Sequence, residues 1–187
     1  MNAIFVAAKE VCDFMKKRRW KFGVIGGLAV QRWGEPRLTQ NADLTLLTGF
    51  GKEKRFAQTL LEPFKPRRPD ALAFSLINRV LLLYAPNGKP VDISFGALPF
   101  ELDMLKRATP FEFAPGCVLP TCSAEDLFVM KAFAGRPQDW LDARGIVVKQ
   151  GGKLNKPYIL KHLTTLCDLK ETPEIVQQAR RILEGKR

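Results

Sequence analysis

A glycine pair between an apolar segment and a helical stretch constrains this chain more than any other feature of its sequence. The apolar segment Phe22–Ile25 stops at Gly26 and Gly27, and residues 28–33 then place apolar side chains at helical spacing. This order predicts a strand, a glycine turn and a helix. Glycine lets the backbone approach a phosphate closely, and a helix N-terminus offers free N–H groups. Many such turns contain glycine for steric reasons only, so phosphate binding needs support from other residues.

The remaining pattern predicts further strands and helices up to about residue 121, and helices alone after it. The predicted helices before that point are residues 3–17, 52–61, 71–78 and 100–108, and the predicted strands are residues 44–47, 80–85, 91–95 and one or two within 111–120. Ser123 and Asp126 resemble a capping box that opens a helix ending at Gly135. We therefore predict an α/β (α+β) fold with a small mixed sheet flanked by helices in residues 1–121, and a helical C-terminal part in residues 122–187.

Composition restricts the partners and the compartment. The 187 residues carry 30 Lys and Arg against 19 Asp and Glu, and this formal net charge of +11 favours a polyanionic partner such as nucleotide or nucleic acid. No apolar run reaches the roughly 18 residues of a membrane span, so no membrane partner is expected. Four cysteines without metal-type spacing predict reduced thiols and a cytoplasmic protein.

Three polar residues in predicted strands could hold a cation. Asn41 and Asp43 are two residues apart, so in an extended segment their side chains share a face. Asp92 lies inside the apolar strand pattern of residues 91–95, and buried acids are rare unless they are paired or bound to metal. A polar start of a strand and a solvent-exposed strand edge are the alternatives. Taken with the glycine turn, however, these residues form the parts of a phosphoryl-transfer site.

Two blocks of sequence resemble a known family. Residues 26–43, with the glycine pair and the segment RLTQNAD at 37–43, resemble the opening of the DNA polymerase β-like nucleotidyltransferase superfamily. Its AbiEii-like group of bacterial enzymes, often toxins of toxin–antitoxin pairs, has an R-x-T-x-D-x-D stretch similar to residues 37–43. A later helical motif of that group resembles residues 123–142. The resemblance covers about residues 20–150 and assigns residues 1–121 to the nucleotidyltransferase core.

The resemblance implies Mg²⁺- or Mn²⁺-dependent transfer of a nucleoside monophosphate from an NTP to an acceptor hydroxyl. The acceptor would be an RNA such as tRNA, and a cognate antitoxin protein would be a partner. The implied metal ligands are Asn41, Asp43 and Asp92, which with Lys131 form the catalytic set. The implied nucleotide-binding residues are Gly26, Gly27, Arg37, Thr39 and Lys131, and the implied supporting residues are Asp126, Arg136, Asp139 and Asp142.

The chain departs from the family pattern at Asn41, where the first metal carboxylate is expected. Asparagine keeps a carbonyl oxygen but lacks the negative charge that hard dications prefer. Three explanations compete: an inactive relative that only binds nucleotide, RNA or a partner; a weak enzyme with one metal; or a deliberate inactivating substitution. The sequence also leaves simpler roles open for other residues.

Those simpler roles concern the charged residues around the helical motif. Asp126 is explained by capping alone, and Lys131 by a solvated position on its helix. Arg37 either contacts phosphate or pairs with Glu35. As an alternative to the solvated position, Arg136, Asp139 and Asp142 would form a charged network that holds Lys131 in place. Asp139 and Asp142 share a helix face and would need a cation between them, for which Arg136 and Arg144 are the candidates.

Overall fold

The computed structural model describes residues 2–185 and contains a mixed seven-stranded sheet. The strands are β1 (Phe22–Ile25), β2 (Ala42–Leu47), β3 (Lys65–Pro66), β4 (Val80–Tyr84), β5 (Pro90–Gly96), β6 (Thr109–Ala114) and β7 (Cys117–Thr121). Their order across the sheet is β3-β4-β5-β2-β1-β7-β6. The pairs β2–β5 and β1–β7 are parallel and the other pairs are antiparallel. The predicted α/β fold with a mixed sheet is confirmed.

Helices connect and follow these strands. They are α1 (Ala3–Lys17), α2 (Gly26–Trp33), α3 (Glu53–Leu61), α4 (Ala71–Asn78), α5 (Pro99–Arg107), α6 (Ala124–Ala134), α7 (Pro137–Gln150), α8 (Lys156–Lys170) and α9 (Pro173–Leu183), with a 3-10 turn at Gly151–Lys153. Side-chain caps mark several of the starts: the Ser123 hydroxyl accepts from the Asp126 amide, and Asn155 accepts from the Tyr158 amide. Gly135 ends α6 with a φ of +68°, as the sequence predicts. No described helix is long and apolar enough to cross a membrane.

The structure divides into two compact units. Unit 1 comprises the residues up to Leu28 and residues 38–122, and unit 2 comprises residues 29–37 and the residues from Ser123 onward. The core of unit 1 lies between α1 and the sheet, because the apolar face of α1 packs on β2, β5 and β7. In unit 2, α6 packs against α7, α8 and α9. All four cysteines are buried free thiols.

Candidate functional site

Parallel pairing of β2 with β5 brings the two predicted acids side by side. Asp43 is the direct register partner of Asp92, and on the other side of β2 it pairs with Ile25, the last residue of β1. Register partners in a parallel pair point to the same face of the sheet. Two carboxylates are therefore held together at the point where β1 ends and α2 begins.

The Asn41 side chain joins these carboxylates. Its amide nitrogen, Nδ2, donates to Asp43 Oδ1 at 2.8 Å and to Asp92 Oδ2 at 2.9 Å. Neighbouring carboxylates repel each other, and an amide that donates to both reduces this repulsion without adding a formal charge. The three residues predicted as metal ligands therefore meet in one cluster, which Asn41 bridges.

The glycine turn touches the same cluster. Gly26 has a φ of +58°, and a Cβ on it would lie 2.1 Å from Asp43 Oδ2. A Cβ on Gly27 would lie 2.5 Å from Thr39 Oγ1, and the Gly27 amide donates to Asp43 Oδ2 at 3.3 Å. Both glycines are thus required because side chains of the candidate site occupy the space that a Cβ would need. Thr39 is also tied to the cluster, since its hydroxyl donates to the backbone carbonyl of Asn41 at 3.0 Å.

A fourth residue of the cluster, Arg67, is not among the predicted site residues. The Arg67 guanidinium forms an ion pair with Asp92 Oδ1. Arg67 follows the two-residue strand β3, which pairs with β4, and β4 pairs with β5. The sequence predicts a basic, proline-rich loop at residues 63–69 that is either solvated or in contact with RNA. Nothing local indicates that this loop reaches the strand of Asp92.

Burial and hydrogen bonding act in opposite directions on Asp92. The exposed fraction of its side chain is 25%. Burial raises the pKa of Asp92, and the charge of Arg67 together with the hydrogen bonds from Asn41 and Arg67 opposes this rise without cancelling it. In the metal-free cluster, the pKa of Asp92 therefore lies above that of an ordinary aspartate.

The donor chemistry of this cluster fits one hard cation. Asp43 and Asp92 direct one carboxylate oxygen each at the same point, where the Asn41 amide lies, and oxygen ligands suit Mg²⁺. Turning the Asn41 amide over would direct its carbonyl oxygen at that point too. Across residues 2–185, no three His, Cys, Asp or Glu side chains come together as a metal ligand set.

The other predicted residues form a separate charged network within unit 2. The ammonium of Lys131 lies between Asp139 at 2.9 Å and Asp142 at 2.8 Å. Arg37 binds both carboxylate oxygens of Asp142, at 2.8 and 2.9 Å, and Arg136 binds Asp139 at 2.6 Å. Lys131 is 7% exposed, so the interpretation of a solvated helix lysine is wrong. The cation between the two acids is Lys131 itself.

This network keeps its acids ionised. Burial opposes ionisation of Asp142, but hydrogen bonds from Arg37, Lys131 and Gln138 outweigh it and lower the pKa to about 2. The pKa of Asp139 is also lowered, because the hydrogen bonds from Lys131 and Arg136 outweigh its burial. Both aspartates are charged at neutral pH and hold the cations around them in fixed positions.

Asp126 is held by hydrogen bonds within unit 2. Its carboxylate accepts from the Ser123 hydroxyl at 2.7 Å and from the Tyr158 hydroxyl at 2.7 Å. The side chain is buried at the start of α6, and Tyr158 belongs to α8. The capping role predicted for the Ser123 hydroxyl is confirmed, and Asp126 also connects two helices of the unit.

Comparison with known proteins identifies the fold. No protein-family model and no curated protein sequence matches the chain. Its structure is similar to that of an antigenic nucleotidyltransferase-like protein from Paracoccidioides brasiliensis, with a TM-score of 0.54 and 15% identity over 95% of this chain and 92% of the other. The antibiotic-resistance factor ANT(2'')-Ia gives a TM-score of 0.54 and 12% identity, covering 89% of this chain and 95% of the other.

A third similar structure is the lincosamide antibiotic adenylyltransferase LnuA with lincomycin bound. Its TM-score is 0.51 and its identity 11%, over 75% of this chain and 94% of the other. The mixed sheet with its flanking helices is therefore a nucleotidyltransferase-like fold.

Proposed function

We propose that the chain is a nucleotidyltransferase of the AbiEii-like group, which transfers a nucleoside monophosphate from an NTP to an acceptor hydroxyl. The observation that carries the proposal is the register pairing of Asp43 with Asp92 next to the glycine turn that opens α2. Two converging carboxylates beside a helix N-terminus bring cation ligands and phosphate-binding amides together. The nucleotidyltransferase-like fold and the sequence motifs of residues 26–43 support the same assignment.

In the proposed reaction, the acceptor hydroxyl oxygen attacks the α-phosphorus of the NTP. The bond from this phosphorus to the oxygen that bridges to the β-phosphate breaks, and pyrophosphate leaves. Gly26, Gly27 and the Thr39 hydroxyl bind triphosphate oxygens, and Asp92 accepts the hydroxyl proton. Asp43, Asp92 and the side-chain carbonyl oxygen of Asn41 would hold Mg²⁺ or Mn²⁺, which would neutralise charge on the transferred phosphate.

Two residues that the family resemblance implies for nucleotide binding belong to the charged network of unit 2. The family resemblance assigns phosphate contacts to Arg37 and Lys131. Asp142 and Asp139 hold these cations in place, so each cation keeps its position without having to be ordered by a ligand. Asp126 and Arg136 act more indirectly, through the packing of α6 and the position of Asp139.

A basic surface of unit 1 supports an RNA acceptor such as tRNA. Trp20 packs edge-on against Phe56 with ring centroids 4.8 Å apart, which brings the end of α1 beside α3. Eight exposed cations lie within five positions of Trp20 or Phe56 in the sequence: Lys16, Lys17, Arg18, Arg19, Lys21, Lys52, Lys54 and Arg55. Such a concentration of positive charge suits a phosphate backbone. A cognate antitoxin protein is the second partner that the AbiEii-like assignment implies.

Incorporation of labelled nucleotide tests the proposed activity. Each of the four NTPs is incubated with tRNA, Mg²⁺ or Mn²⁺, and either the wild-type chain or Asn41→Asp. We expect Asn41→Asp to be more active, and Asp43→Asn to lower incorporation at least about a hundredfold. Asp103→Asn is the matched control, because Asp103 is a half-buried residue of α5 paired with Lys106 outside the cluster. Absence of incorporation in both the wild type and Asn41→Asp would reject the activity.

The Asn41 bridge favours a second candidate function, that of a nucleotide-binding relative without turnover. Asn41 satisfies one oxygen of each carboxylate with an uncharged amide, so the cluster does not need a third acid at this position. This alternative predicts that NTP raises the thermal midpoint of the wild-type chain while no nucleotide is incorporated. It also predicts that EDTA leaves this thermal shift unchanged.

A further inference from the structure

The cluster in unit 1 contains its own donors for every carboxylate oxygen. Asp43 Oδ1 and Asp92 Oδ2 accept from the Asn41 amide, and Asp43 Oδ2 accepts from the Gly27 amide. Asp92 Oδ1 pairs with the Arg67 guanidinium. A metal ion that binds here therefore has to replace hydrogen bonds that the chain already supplies.

Among these donors, Arg67 is the one with a formal charge. Asp43 and Asp92 together carry −2 when ionised, and Arg67 reduces the sum to −1. A dication gains less from a site of charge −1 than from one of charge −2, and a resident guanidinium repels it. Arg67 therefore opposes metal binding both by occupying a ligand and by its charge.

The sheet holds Arg67 in position. The Arg67 amide donates to the Leu82 carbonyl at 3.0 Å, which continues the pairing of β3 with β4. Leu82 is in turn the register partner of Asp92 across β4 and β5. Arg67 thus lies level with Asp92 across the sheet. Hydrogen bonds fix its backbone, and from there its guanidinium reaches the Asp92 carboxylate. The exposed fractions are 28% for the Arg67 side chain and 25% for Asp92, so the pair is only partly open to water.

We propose that Arg67 is a built-in counter-ion that competes with divalent metal for Asp92 and so sets the metal affinity of this site. The inference deepens the proposed function and rests on it, because the metal site is that of the proposed nucleotidyl transfer. In the wild-type chain the Arg67 guanidinium occupies Asp92 in place of a metal ion. A dication binds only when the guanidinium leaves Asp92.

Direct titration with Mn²⁺ tests this proposal without nucleotide or turnover. Free Mn²⁺ is measured by electron paramagnetic resonance in the presence of the wild-type chain, Arg67→Gln or Arg68→Gln. Arg68 is the matched control, because it is the adjacent arginine and pairs with Asp70 outside the cluster. Each variant removes one positive charge from the same loop, but only Arg67→Gln removes the contact to Asp92.

We expect Arg67→Gln to bind Mn²⁺ at least about tenfold more tightly than the wild type, and Arg68→Gln to stay within about twofold of it. Equal affinities for the wild type and Arg67→Gln, or an equal gain in both variants, would overturn the proposal. Neither outcome depends on nucleotide incorporation, so failure of this inference is distinguishable from failure of the proposed transfer.

Loss of the ion pair could also unfold Arg67→Gln in the absence of metal. In that case the proposal requires Mn²⁺ to take over the role of the guanidinium and restore the fold, read by circular dichroism. If Arg67→Gln stays unfolded at saturating Mn²⁺, the guanidinium is not acting as a replaceable counter-ion and the proposal is rejected.

Discussion

Replacement of Asp142 by asparagine tests whether the network of unit 2 is held by charge. Asp142 accepts two hydrogen bonds from Arg37, at 2.8 and 2.9 Å, and its Oδ2 lies 2.8 Å from the Lys131 ammonium. Asparagine has the shape of the protonated acid but cannot ionise. The variant Asp142→Asn therefore removes the charge with little change in volume.

The expected loss in the free energy of unfolding follows from the pKa of Asp142, which falls from its usual 3.8 to about 2 in the folded chain. One pKa unit corresponds to about 1.4 kcal/mol, so the ionised form adds about 2 kcal/mol to the free energy of unfolding at pH 7. Because the folded-state pKa is depressed, this contribution is complete above pH 3.8 and disappears as the pH falls through 2. At pH 3 about 1 kcal/mol of it should remain.

Urea denaturation of the wild type and Asp142→Asn at pH 7 and at pH 3, followed by circular dichroism, measures this contribution. The control is Asp13→Asn, because Asp13 is 48% exposed and pairs with Lys9 on the surface of α1. We expect its free energy of unfolding to change by less than about 1 kcal/mol. If Asp142→Asn costs as much at pH 3 as at pH 7, or nothing at pH 7, the network is not held by the charge of Asp142.

Two further substitutions test the contacts around the helix starts. Gly26→Ala should lower the free energy of unfolding by at least about 2 kcal/mol in urea titrations, because it places a Cβ against Asp43 at a left-handed φ. Gly51→Ala is its control, with a φ of +80° and nothing within 4 Å, and an equal loss there would show that contact with Asp43 is irrelevant. Tyr158→Phe should cost about 1 kcal/mol by losing the hydrogen bond to Asp126, and an unchanged urea midpoint would contradict this.

Local structure was largely predictable from the sequence, because it depends on neighbours along the chain. Apolar spacing and end signals predict α1 at residues 3–17, a strand at 22–25 and the end of α6 at Gly135, and the structure has them at these positions. The predictions were less accurate where backbone pairing decides the ends: β2 begins at Ala42 rather than at residue 44. The register with β5 extends the strand to Ala42, which the apolar pattern does not indicate.

The charged contacts in both units depend on tertiary structure. The candidates Asn41, Asp43 and Asp92 were identifiable because polar residues at spacing two, and an acid in an apolar strand, stand out in the sequence. Lys131 was identified only through the family resemblance. A network of Arg136, Asp139 and Asp142 around it was predicted, but the burial of its ammonium between the two acids was not. Arg37 pairs with Asp142 although 105 positions separate them, and no local signal specifies that pairing.

The glycine turn, the helix and strand types, and a set of polar residues suited to phosphate and cation chemistry are all predictable from local sequence. Which of these residues meet depends on how the strands pair. The order of strands and their register place Arg67, 25 positions from Asp92, against its carboxylate, and let Asn41 donate to both acids. Periodicity reports which face of an element is buried, whereas the charge balance of a site depends on side chains from strands distant in sequence.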